Sequence, residues 1–412
     1  MAETSLGKDK IKVLLLESID PGAVEAFRTD GHTNVVSHKQ ALPAAELVAE
    51  IKGAHLLGIR SRTHVTKRVL EHADRLIAIG CFGIGTDQVD LDAAEAKGIP
   101  VFNAPFSNTR SVAELVLAEI VMLCRGIPRR NAAAHRGEWL KSVAGATEVR
   151  GKTLGIVGYG HIGTQIGLLA EGLGMRVIYH DIEPKLALGN ATPVDSLRTL
   201  LERSAVVTLH VPDTAETVHL IGAEQLGWMQ PTAHLINASR GTVVDLDALA
   251  AALDAGAIAG AAIDVFPNEP ESNAQPFDSP LRRFDSVLLT PHVGGSTVEA
   301  QESIGLEVAA KLLKYSNNGS TMTAVNFPQV ALPEHRGKHR LLHTHRNIPG
   351  MLAAINAVLA GAKINIASQY LETSRQVGYA VIDVDGADRP LSATLRTQLD
   401  AIGGTIRTRV LY

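Results

Sequence analysis

The stretch GIVGYGHIG, residues 155–163, constrains the fold more than any other part of the chain. The apolar run KTLGIV leads into it and a helical pattern follows, so Gly158-x-Gly160-x-x-Gly163 lies between a predicted strand and a predicted helix. In that context the first glycine allows a tight turn, the second lets the backbone approach a pyrophosphate, and the third lets helix and strand pack closely. The phosphates bind where the N–H groups and the dipole of the helix favour an anion. The pattern therefore predicts a dinucleotide site.

The strand that follows the glycines predicts which dinucleotide is bound. MRVIYHD ends at Asp181, roughly twenty residues after the glycines, where this fold places an acid against the ribose hydroxyls. A carboxylate at that position repels a 2′-phosphate, so the sequence favours NAD over NADP.

The remaining pattern predicts an α/β protein with two doubly wound parallel-sheet domains and a ferredoxin-like βαββαβ domain. Near-continuous apolar runs, such as KVLLLE and LIAIGC, are typical of parallel strands covered on both faces. Long helices are expected near 109–126 and 297–314, and a linker rich in Asn, Ser, Pro and Gly over 316–340. We expect three domains: a discontinuous one with the bounds 1–107 plus 296–336, which would bind the substrate, an NAD-binding one over 108–295, and a small separate one over 337–412.

Composition excludes several classes of protein. The net charge of -4 gives no indication of the excess positive charge with which proteins bind nucleic acid or an anionic membrane. The two cysteines, Cys81 and Cys124, form no CxxC pair, so we expect neither a disulfide framework nor a metal site, and a reduced, cytoplasmic setting. The opening MAETSLGKDK has no signal-peptide pattern. Glu114 and Glu119 interrupt the longest apolar stretch, 112–124, which predicts a buried helix and not a membrane span.

Three successive predicted strands end in groups that suit one reaction. AHLINAS ends before Arg240, AGAAIDVF carries Asp264 with Glu269 shortly after it, and VLLTP ends before His292. Ligands bind outside the carboxyl ends of strands in such a sheet. An imidazole can take the proton of a hydroxyl while hydride leaves carbon, a carboxylate can orient the imidazole, and an arginine can clamp a substrate carboxylate. The pattern predicts a hydroxyacid dehydrogenase with Glu269 as the partner of His292.

NASRGTVVDLDAL, AAIDVFPNEP and TPHVGGST resemble the signature segments of the NAD-dependent D-2-hydroxyacid dehydrogenases. The resemblance implies Arg240, Glu269 and His292 as catalytic residues and a homotetramer as the assembly. It also places Gly294 and Gly295 in a hinge that closes the cleft. The implied NAD-binding residues are Gly158, Gly160, His161, Ile162, Gly163, Asp181, Ala238, Ser239, Arg240, Asp264, His292, Val293, Gly294 and Gly295.

The segment GIRSRTHVT predicts a substrate with a phosphate group. Arg60 and Arg62 follow a predicted strand, and a net acidic protein needs such local cations to hold an anion. This segment resembles members of the family that oxidise D-3-phosphoglycerate to 3-phosphohydroxypyruvate, the first step of phosphorylated L-serine biosynthesis. The resemblance also implies a 2-oxoglutarate reductase side activity. The further substrate contacts that it implies are Ser61, Asn108, Gln301 and, reaching a neighbouring subunit, Lys141.

The C-terminal HTHRNIPGMLAAIN resembles the start of an ACT domain, a module that binds small regulatory molecules. The resemblance implies feedback inhibition by L-serine, with His345, Asn347 and Asn365 as ligands. One departure affects this inference: where close relatives have a pair of glycines, this chain has Arg336 before Gly337, which narrows the backbone's range.

Two other functions are compatible with the sequence. The first is a dehydrogenase for an unphosphorylated acid such as lactate or glycerate, against which Arg60, Arg62 and the regulatory domain argue. The second is a non-catalytic NAD-sensing scaffold, which can retain Arg240, Glu269 and His292. The KM of Arg62→Ala for 3-phosphoglycerate tests the first alternative, and a turnover assay with NAD and phosphoglycerate tests the second.

Overall fold

Two of the three sheets in this computed structural model are parallel, and their central strands are buried on both faces. The structure describes residues 6–270, 274–334, 339–385 and 389–412. The chain divides into two compact units, Met1–Ser107 with Gln301–Tyr412, and Asn108–Ala300. The small C-terminal sheet therefore belongs to the same unit as the first sheet, while the three-domain division with its own bounds stays a prediction.

The first sheet has five parallel strands in the order β2-β1-β3-β4-β5. The order reverses at β1, as in other open doubly wound sheets. The edge strand β2 was not predicted. The strands are β1 (Val13–Leu15), β2 (Val35–Ser37), β3 (Leu56–Ile59), β4 (Ala78–Cys81) and β5 (Val101–Phe102), and the connecting helices are α1 (Pro21–Thr29), α2 (Ala44–Glu50), α3 (Lys67–Glu71) and α4 (Leu91–Ala96).

The second unit begins with two helices and contains a seven-stranded parallel sheet in the order β12-β11-β10-β9-β6-β7-β8. The order reverses at β6, which pairs with both β7 and β9, so ligands are expected beyond the carboxyl end of β6. Six strands were predicted, and the short β8 was not. The elements are α5 (Thr109–Cys124), α6 (Ile127–His135), β6 (Thr153–Val157), α7 (His161–Gly172), β7 (Arg176–His180), β8 (Thr192–Pro193), α8 (Leu197–Arg203), β9 (Val206–Leu209), α9 (Ala223–Trp228), β10 (His234–Asn237), α10 (Leu246–Asp254), β11 (Gly260–Ile263) and β12 (Val287–Leu289).

The helix α11 (Val298–Asn318) leads back to the first sheet and packs against β4. A Cβ built at Gly80 would lie 2.6 Å from Val308 and 2.8 Å from Leu312, so the glycine permits this close packing. The helix extends four residues beyond its predicted end. The segment predicted as a linker is packed in its described part, where Phe327, Val330 and Leu332 are buried.

The C-terminal sheet is antiparallel, with the order β14-β15-β13-β16, which confirms the ferredoxin-like arrangement. Two helices cover one of its faces and enclose a small core with Leu341, Ile355 and Leu395. Arg336 and Gly337, on which we based a departure from the family, lie outside the described residues. The elements are β13 (His339–Arg346), α12 (Met351–Gly361), β14 (Asn365–Thr373), β15 (Val377–Asp385), α13 (Arg389–Asp400) and β16 (Thr405–Leu411).

The opposite face of the C-terminal sheet shares one hydrophobic core with the first sheet. Leu342, Tyr379 and Val381 of the small sheet pack in the same cluster as Phe102 of β5 and Tyr315 of α11. Polar groups strengthen the contact: the hydroxyl of Tyr379 donates to the carbonyl of Gly319 at 2.7 Å. No helix among the described residues is long and apolar enough to cross a bilayer.

Candidate active site

The glycine-rich turn after β6 has the shape that a dinucleotide requires. Gly158 has a φ of 88°, and a Cβ there would lie 2.3 Å from the carbonyl oxygen of His210. A Cβ at Gly163 would lie 2.3 Å from the carbonyl oxygen of Gly158, so α7 packs tightly on the turn. At Gly160 a Cβ would meet no atom within 4 Å, which leaves the start of α7 open to a ligand. His161 and Ile162 form the first turn of that helix, so these residues fit the pyrophosphate of NAD.

Asp181 lies directly after β7 and is held by the same turn. Its Oδ2 accepts a hydrogen bond from the backbone N–H of Tyr159 at 2.8 Å, and its Oδ1 accepts one from the N–H of Glu183 at 3.0 Å. The ring of Tyr159 stacks on that of Tyr179, with centroids 3.9 Å apart. The carboxylate thus lies beside the glycine turn, where the fold places the acid that contacts a ribose.

Three neighbouring strands align the groups predicted for catalysis. Asn237 at the end of β10 pairs in register with Ile263 of β11, and Ile263 pairs with Leu289 of β12. Because the strands are parallel, the segments that carry Arg240, Glu269 and His292 leave the same edge of the sheet.

His292 has a backbone conformation that few residues other than glycine adopt. Its φ is 54°, in the left-handed region, which is uncommon for residues other than glycine and marks local strain. Its N–H donates to the carbonyl oxygen of Asp264 at 2.8 Å. The strain is therefore sustained by neighbouring contacts, most of which Asp264 provides.

Asp264 is buried and organises the whole turn after β12. Its Oδ1 accepts hydrogen bonds from the hydroxyl of Thr290 at 2.6 Å and from the N–H of Val293 at 2.8 Å. Its Oδ2 accepts from the N–H of Gly294 at 2.8 Å. The resemblance implied that Asp264 contacts NAD, whereas the described contacts of its carboxylate are to the turn that carries His292.

Gly294 and Gly295 permit close packing. Neither has a left-handed φ. A Cβ at Gly294 would lie 3.0 Å from Oδ2 of Asp264, and one at Gly295 would lie 2.4 Å from Nδ2 of Asn108. Larger residues would push the turn away from Asp264 and the start of α5. The hinge stays a prediction.

His292 and Glu269 form a hydrogen-bonded pair. Nδ1 of His292 lies 3.0 Å from Oε1 and 2.9 Å from Oε2 of Glu269. The hydrogen bond to Glu269 raises the pKa of His292 above its ordinary value. Burial acts to raise the pKa of Glu269, but the hydrogen bond and charge of His292, with smaller contributions from the N–H of Phe266 and Arg240, bring it below its ordinary value. The pair is thus an imidazolium and a carboxylate at moderately acid pH.

Arg240 lies in the turn between β10 and α10, close to this pair. Its positive charge acts to lower the pKa values of both His292 and Glu269. Nη1 donates to the carbonyl oxygen of Ser239 at 2.8 Å, and Asn237 shapes the turn by donating to the carbonyl oxygen of Arg240 at 2.9 Å. Arginine, imidazole and carboxylate therefore act on one another at the edge of the sheet.

We predict that Glu269→Gln shifts the acid limb of the pH profile of oxidation to lower pH and reduces kcat. In the wild type His292 must lose its proton before it can act as a base, and its pKa is raised. The midpoint of the acid limb should therefore lie above about pH 6.5, the ordinary pKa of histidine. Without the carboxylate that raised pKa falls. The measurement is kcat/KM against pH, and a limb at the same pH in both proteins would contradict the assigned pairing.

The same shifts give the pair's effect on stability a definite sign. The contribution from the raised pKa of His292 is complete below the unfolded pKa and is lost as the pH rises through the folded one. The contribution from the lowered pKa of Glu269 is lost as the pH falls through its folded value. The ion pair therefore stabilises the fold between those two limits.

In the other unit, the loop after β3 that carries Arg60, Ser61 and Arg62 is built around Glu17. Oε1 of Glu17 accepts from the N–H groups of Arg60 at 3.1 Å and Thr63 at 2.9 Å, and Oε2 accepts from that of Arg62 at 2.9 Å. Burial lowers the pKa of Arg60, against the charge of Glu17. Arg62 is exposed, and its side chain is available to an anion.

The other residues predicted for the substrate lie on several elements. Asn108 immediately precedes α5, and its Oδ1 is buried with no hydrogen-bond partner among the described residues. Lys141 lies on an exposed segment after α6, together with Trp139 and Val143. Gln301 belongs to α11, in the unit of the first sheet.

The residues predicted to bind an effector lie at opposite ends of the C-terminal sheet. His345 pairs with Gly378 near the end of β13, and Nδ2 of Asn347 donates to the carbonyl oxygen of Ser374 at 2.9 Å. Asn365 begins β14 and pairs with Asp385, at the far end of β15. One chain thus brings His345 and Asn347 together and leaves Asn365 apart.

Sequence reasoning missed three polar residues. Glu17 could have been noticed as an acid directly after an apolar strand. His210 could have been noticed as an imidazole after β9; its Nε2 lies 2.8 Å from the hydroxyl of Thr208, and burial lowers its pKa to about 3. Glu119 was noted only as an interruption of an apolar stretch, and it is buried.

Comparisons with known proteins agree with this geometry. Residues 117–294 match the family described as D-isomer specific 2-hydroxyacid dehydrogenase, NAD binding domain, and residues 341–407 match the AHAS small subunit-like ACT domain. Among curated proteins, D-3-phosphoglycerate dehydrogenase of Escherichia coli (strain K12) is 59% identical over 412 residues, with 100% of each chain covered. The enzyme of that name from Haemophilus influenzae is 56% identical over 410 residues, covering 100% of this chain and 99% of that one.

A solved structure is similar over most of the chain. D-lactate dehydrogenase from Aquifex aeolicus, complexed with NAD and lactic acid, has a TM-score of 0.65 and 28% sequence identity, and the match covers 75% of this chain and 96% of that one.

Proposed function

Because this chain belongs to the D-isomer specific 2-hydroxyacid dehydrogenase family and is therefore an NAD-dependent oxidoreductase, we propose that it oxidises D-3-phosphoglycerate to 3-phosphohydroxypyruvate. This is the first step of phosphorylated L-serine biosynthesis, and it suits a cytoplasmic enzyme. The observation that carries the proposal is the His292–Glu269 pair near Arg240 at the edge of the NAD-binding sheet. The full-length similarity to D-3-phosphoglycerate dehydrogenases supports the choice of substrate.

The hydrogen-bonded pair supports a definite role for each ring nitrogen of His292. Because Nδ1 faces Glu269, it carries a proton, and Nε2 can accept the proton of the substrate hydroxyl. The glycine-rich turn and Asp181 would hold NAD, which would supply the acceptor for the hydride at C2 of the substrate. Glu269 stabilises the imidazolium that forms, and His292 then releases its proton to solvent.

Arg240 has the chemistry to position the substrate. A guanidinium binds a carboxylate through two parallel hydrogen bonds, which fixes the orientation of the neighbouring C2 atom. Its positive charge also offsets the negative charge that the substrate brings to Glu269. The role of Arg240 is therefore to hold and orient, while His292 moves the proton.

The phosphate is the part of the substrate that distinguishes the proposed activity from that of a lactate or glycerate dehydrogenase. The Arg60–Arg62 loop supports phosphate binding because Glu17 fixes its backbone and leaves the Arg62 side chain exposed. A second carboxylate could substitute for the phosphate, which is why reduction of 2-oxoglutarate remains part of the proposal.

Arg62→Ala should raise the KM for 3-phosphoglycerate by about tenfold or more, because a charge-assisted hydrogen bond contributes about 1.5–3 kcal/mol. The KM for NAD should stay within about twofold, since no NAD contact is assigned to Arg62. Steady-state kinetics measure both values, with Arg68→Ala on the exposed side of α3 as the matched control. An unchanged KM for 3-phosphoglycerate would disprove the phosphate assignment, and no turnover by the wild type would favour the scaffold.

We also propose a homotetramer whose C-terminal sheets bind L-serine. Trp139 and Val143 are 87% and 85% exposed, which supports a subunit contact near Lys141. The edge strand β14 supports a second contact, because antiparallel pairing with β14 of another copy would bring Asn365 of that copy near Asn347. The effector site would then need two chains.

Asn365→Ala should make the enzyme insensitive to L-serine while its turnover without serine is retained. The reason is that an amide contact to the effector is lost, while Arg240, Glu269 and His292 lie in the other unit and are unchanged. Activity measured across a range of serine concentrations tests this, with Asn34→Ala as the control for an exposed asparagine outside the C-terminal sheet. If serine inhibits the variant as it inhibits the wild type, Asn365 is not a ligand.

A further inference from the structure

Glu119 is a buried acid without a partner. It lies in the middle of α5 and is 1% exposed, and neither carboxyl oxygen has a hydrogen-bond partner among the described residues. Its neighbours along the helix, Val116, Ile120 and Leu123, belong to an apolar cluster. An ionised carboxylate in such surroundings is costly, so a carboxyl retained there calls for an explanation.

The helix geometry directs Glu119 toward the turn that carries His292. Val112, Leu115 and Glu119 lie three and four residues apart and therefore share one face of α5. A Cβ at Gly294 would lie 3.5 Å from Val112, 3.8 Å from Leu115 and 3.0 Å from Oδ2 of Asp264, so this face packs on the turn at Asp264. Helical side chains lean toward the N-terminus of their helix, which brings the Glu119 carboxyl back toward that layer.

A second carboxylate close to Asp264 would repel the carboxylate of Asp264. Its two oxygens accept hydrogen bonds from Thr290, Val293 and Gly294, and these bonds maintain the left-handed backbone of His292. A negative charge on Glu119 would repel Asp264 through a medium of low dielectric constant. Asp264 could relieve the repulsion by moving, and that movement weakens its bonds to the turn.

We propose that Glu119 is a positioning residue: while uncharged it lets Asp264 hold the turn that presents His292 and lines the NAD site, and its ionisation loosens that turn and weakens NAD binding. The inference rests on the proposed role of residues 292–295 in the NAD site. The ionisation of Glu119 in α5 would then set the pH above which the affinity for NAD falls.

The titration of Glu119 falls in a range that experiments reach. Burial first, and the charge of Asp264 second, raise its pKa to about 8. Stability that depends on the protonated form is complete below the ordinary pKa of a glutamic acid and is lost as the pH rises through the folded value. The other charged or titratable groups on α5, or directly after it, are Arg110, Glu114, Cys124 and Arg125. On the elements packed against α5, or directly after them, they are His161 and Glu171 at α7, Arg129, Arg130, His135 and Arg136 at α6, His234 on β10 and Asp264 after β11.

Calorimetric titration of the full chain with NAD at about pH 7 and about pH 9 tests the proposal. We expect the Kd of the wild type to rise about fivefold or more, the lower range of coupling between two sites, and that of Glu119→Gln to change by less than about twofold. Glutamine has the shape of the protonated acid and cannot ionise. Glu119→Asp keeps an ionisable group and should retain a rise in Kd at alkaline pH.

The matched control is Glu114→Gln, which removes the other acid of the same helix, an exposed one paired with Arg110. It should behave as the wild type does. Equal pH dependence in wild type and Glu119→Gln would overturn the proposal, even if the variant has a changed Tm, because a purely structural role moves only stability.

Two further outcomes are decisive without that variant. If Glu119→Gln does not fold, Glu119→Met replaces it as the uncharged protein, and a wild type whose Kd is unchanged at about pH 9 overturns the inference whatever the variants do. A wild type that binds NAD with the expected pH dependence but does not oxidise 3-phosphoglycerate would overturn the proposed function and leave this inference standing.

Discussion

Replacing His292 by asparagine should lower kcat by about a hundredfold or more, the scale of general acid–base catalysis. Asparagine tolerates the left-handed backbone that His292 adopts, so the turn held by Asp264 should keep its shape. The amide cannot take up the hydroxyl proton, and that proton would have to leave to water without a positioned base. The KM for NAD should therefore change by less than about threefold. Steady-state kinetics with saturating NAD measure the effect.

The control for this variant is His219→Asn. His219 is another histidine with a left-handed backbone, with a φ of 52° against 54° for His292, and its side chain is exposed. Any general cost of placing asparagine in this conformation would appear equally in both proteins. A kcat within about threefold of the wild type in His292→Asn would remove His292 from the role of base.

Arg240→Lys should lower kcat/KM by about a hundredfold, equivalent to about 2.7 kcal/mol of transition-state stabilisation. Lysine keeps the positive charge but loses the planar fork, so the carboxylate would be held by one contact and C2 would be less well oriented. The loss should therefore affect kcat as well as KM. The described hydrogen bond of the guanidinium is to the adjacent Ser239 carbonyl, so little of the fold depends on it.

Arg282→Lys, on an exposed side chain that interacts weakly with Asp278, controls for the exchange of a guanidinium for an ammonium. It should leave kcat/KM unchanged. A rise in KM alone for Arg240→Lys, with kcat retained, would mean that Arg240 contributes uniform binding and not orientation.

The sequence allowed a prediction of those parts of the fold that rest on local patterns. The strands β6 and β9 to β12 are continuous apolar runs, and the glycine triplet after β6 has one structural meaning in that context. The strands β2 and β8 have three and two residues and lie at or near sheet edges, so they lack the periodicity on which such predictions depend.

The sequence indicated which polar groups meet at the edge of the sheet, but not the contacts that support them; their catalytic roles stay a prediction. Arg240, Glu269 and His292 follow strands, and side chains at strand ends of a parallel sheet converge. The N–H of Gly294 donates a hydrogen bond to Asp264, 30 positions earlier in the sequence, and no sequence pattern predicts a contact between them. The separation of Asn365 from His345 likewise follows from the sheet order, in which β15 lies between β14 and β13.

The common interior of the first sheet and the C-terminal sheet limits how the C-terminal domain can be exchanged or removed. Arg340 is 2% exposed, binds Asp383 at 2.6 and 2.8 Å, and donates to the carbonyl oxygen of Asn318 at 3.0 Å. A chain truncated before β13 would expose part of the apolar surface around Phe102 and Tyr315, and such a surface promotes aggregation. Grafting a foreign sensor onto this enzyme therefore requires redesigning the face on which it rests, and not only the connecting peptide.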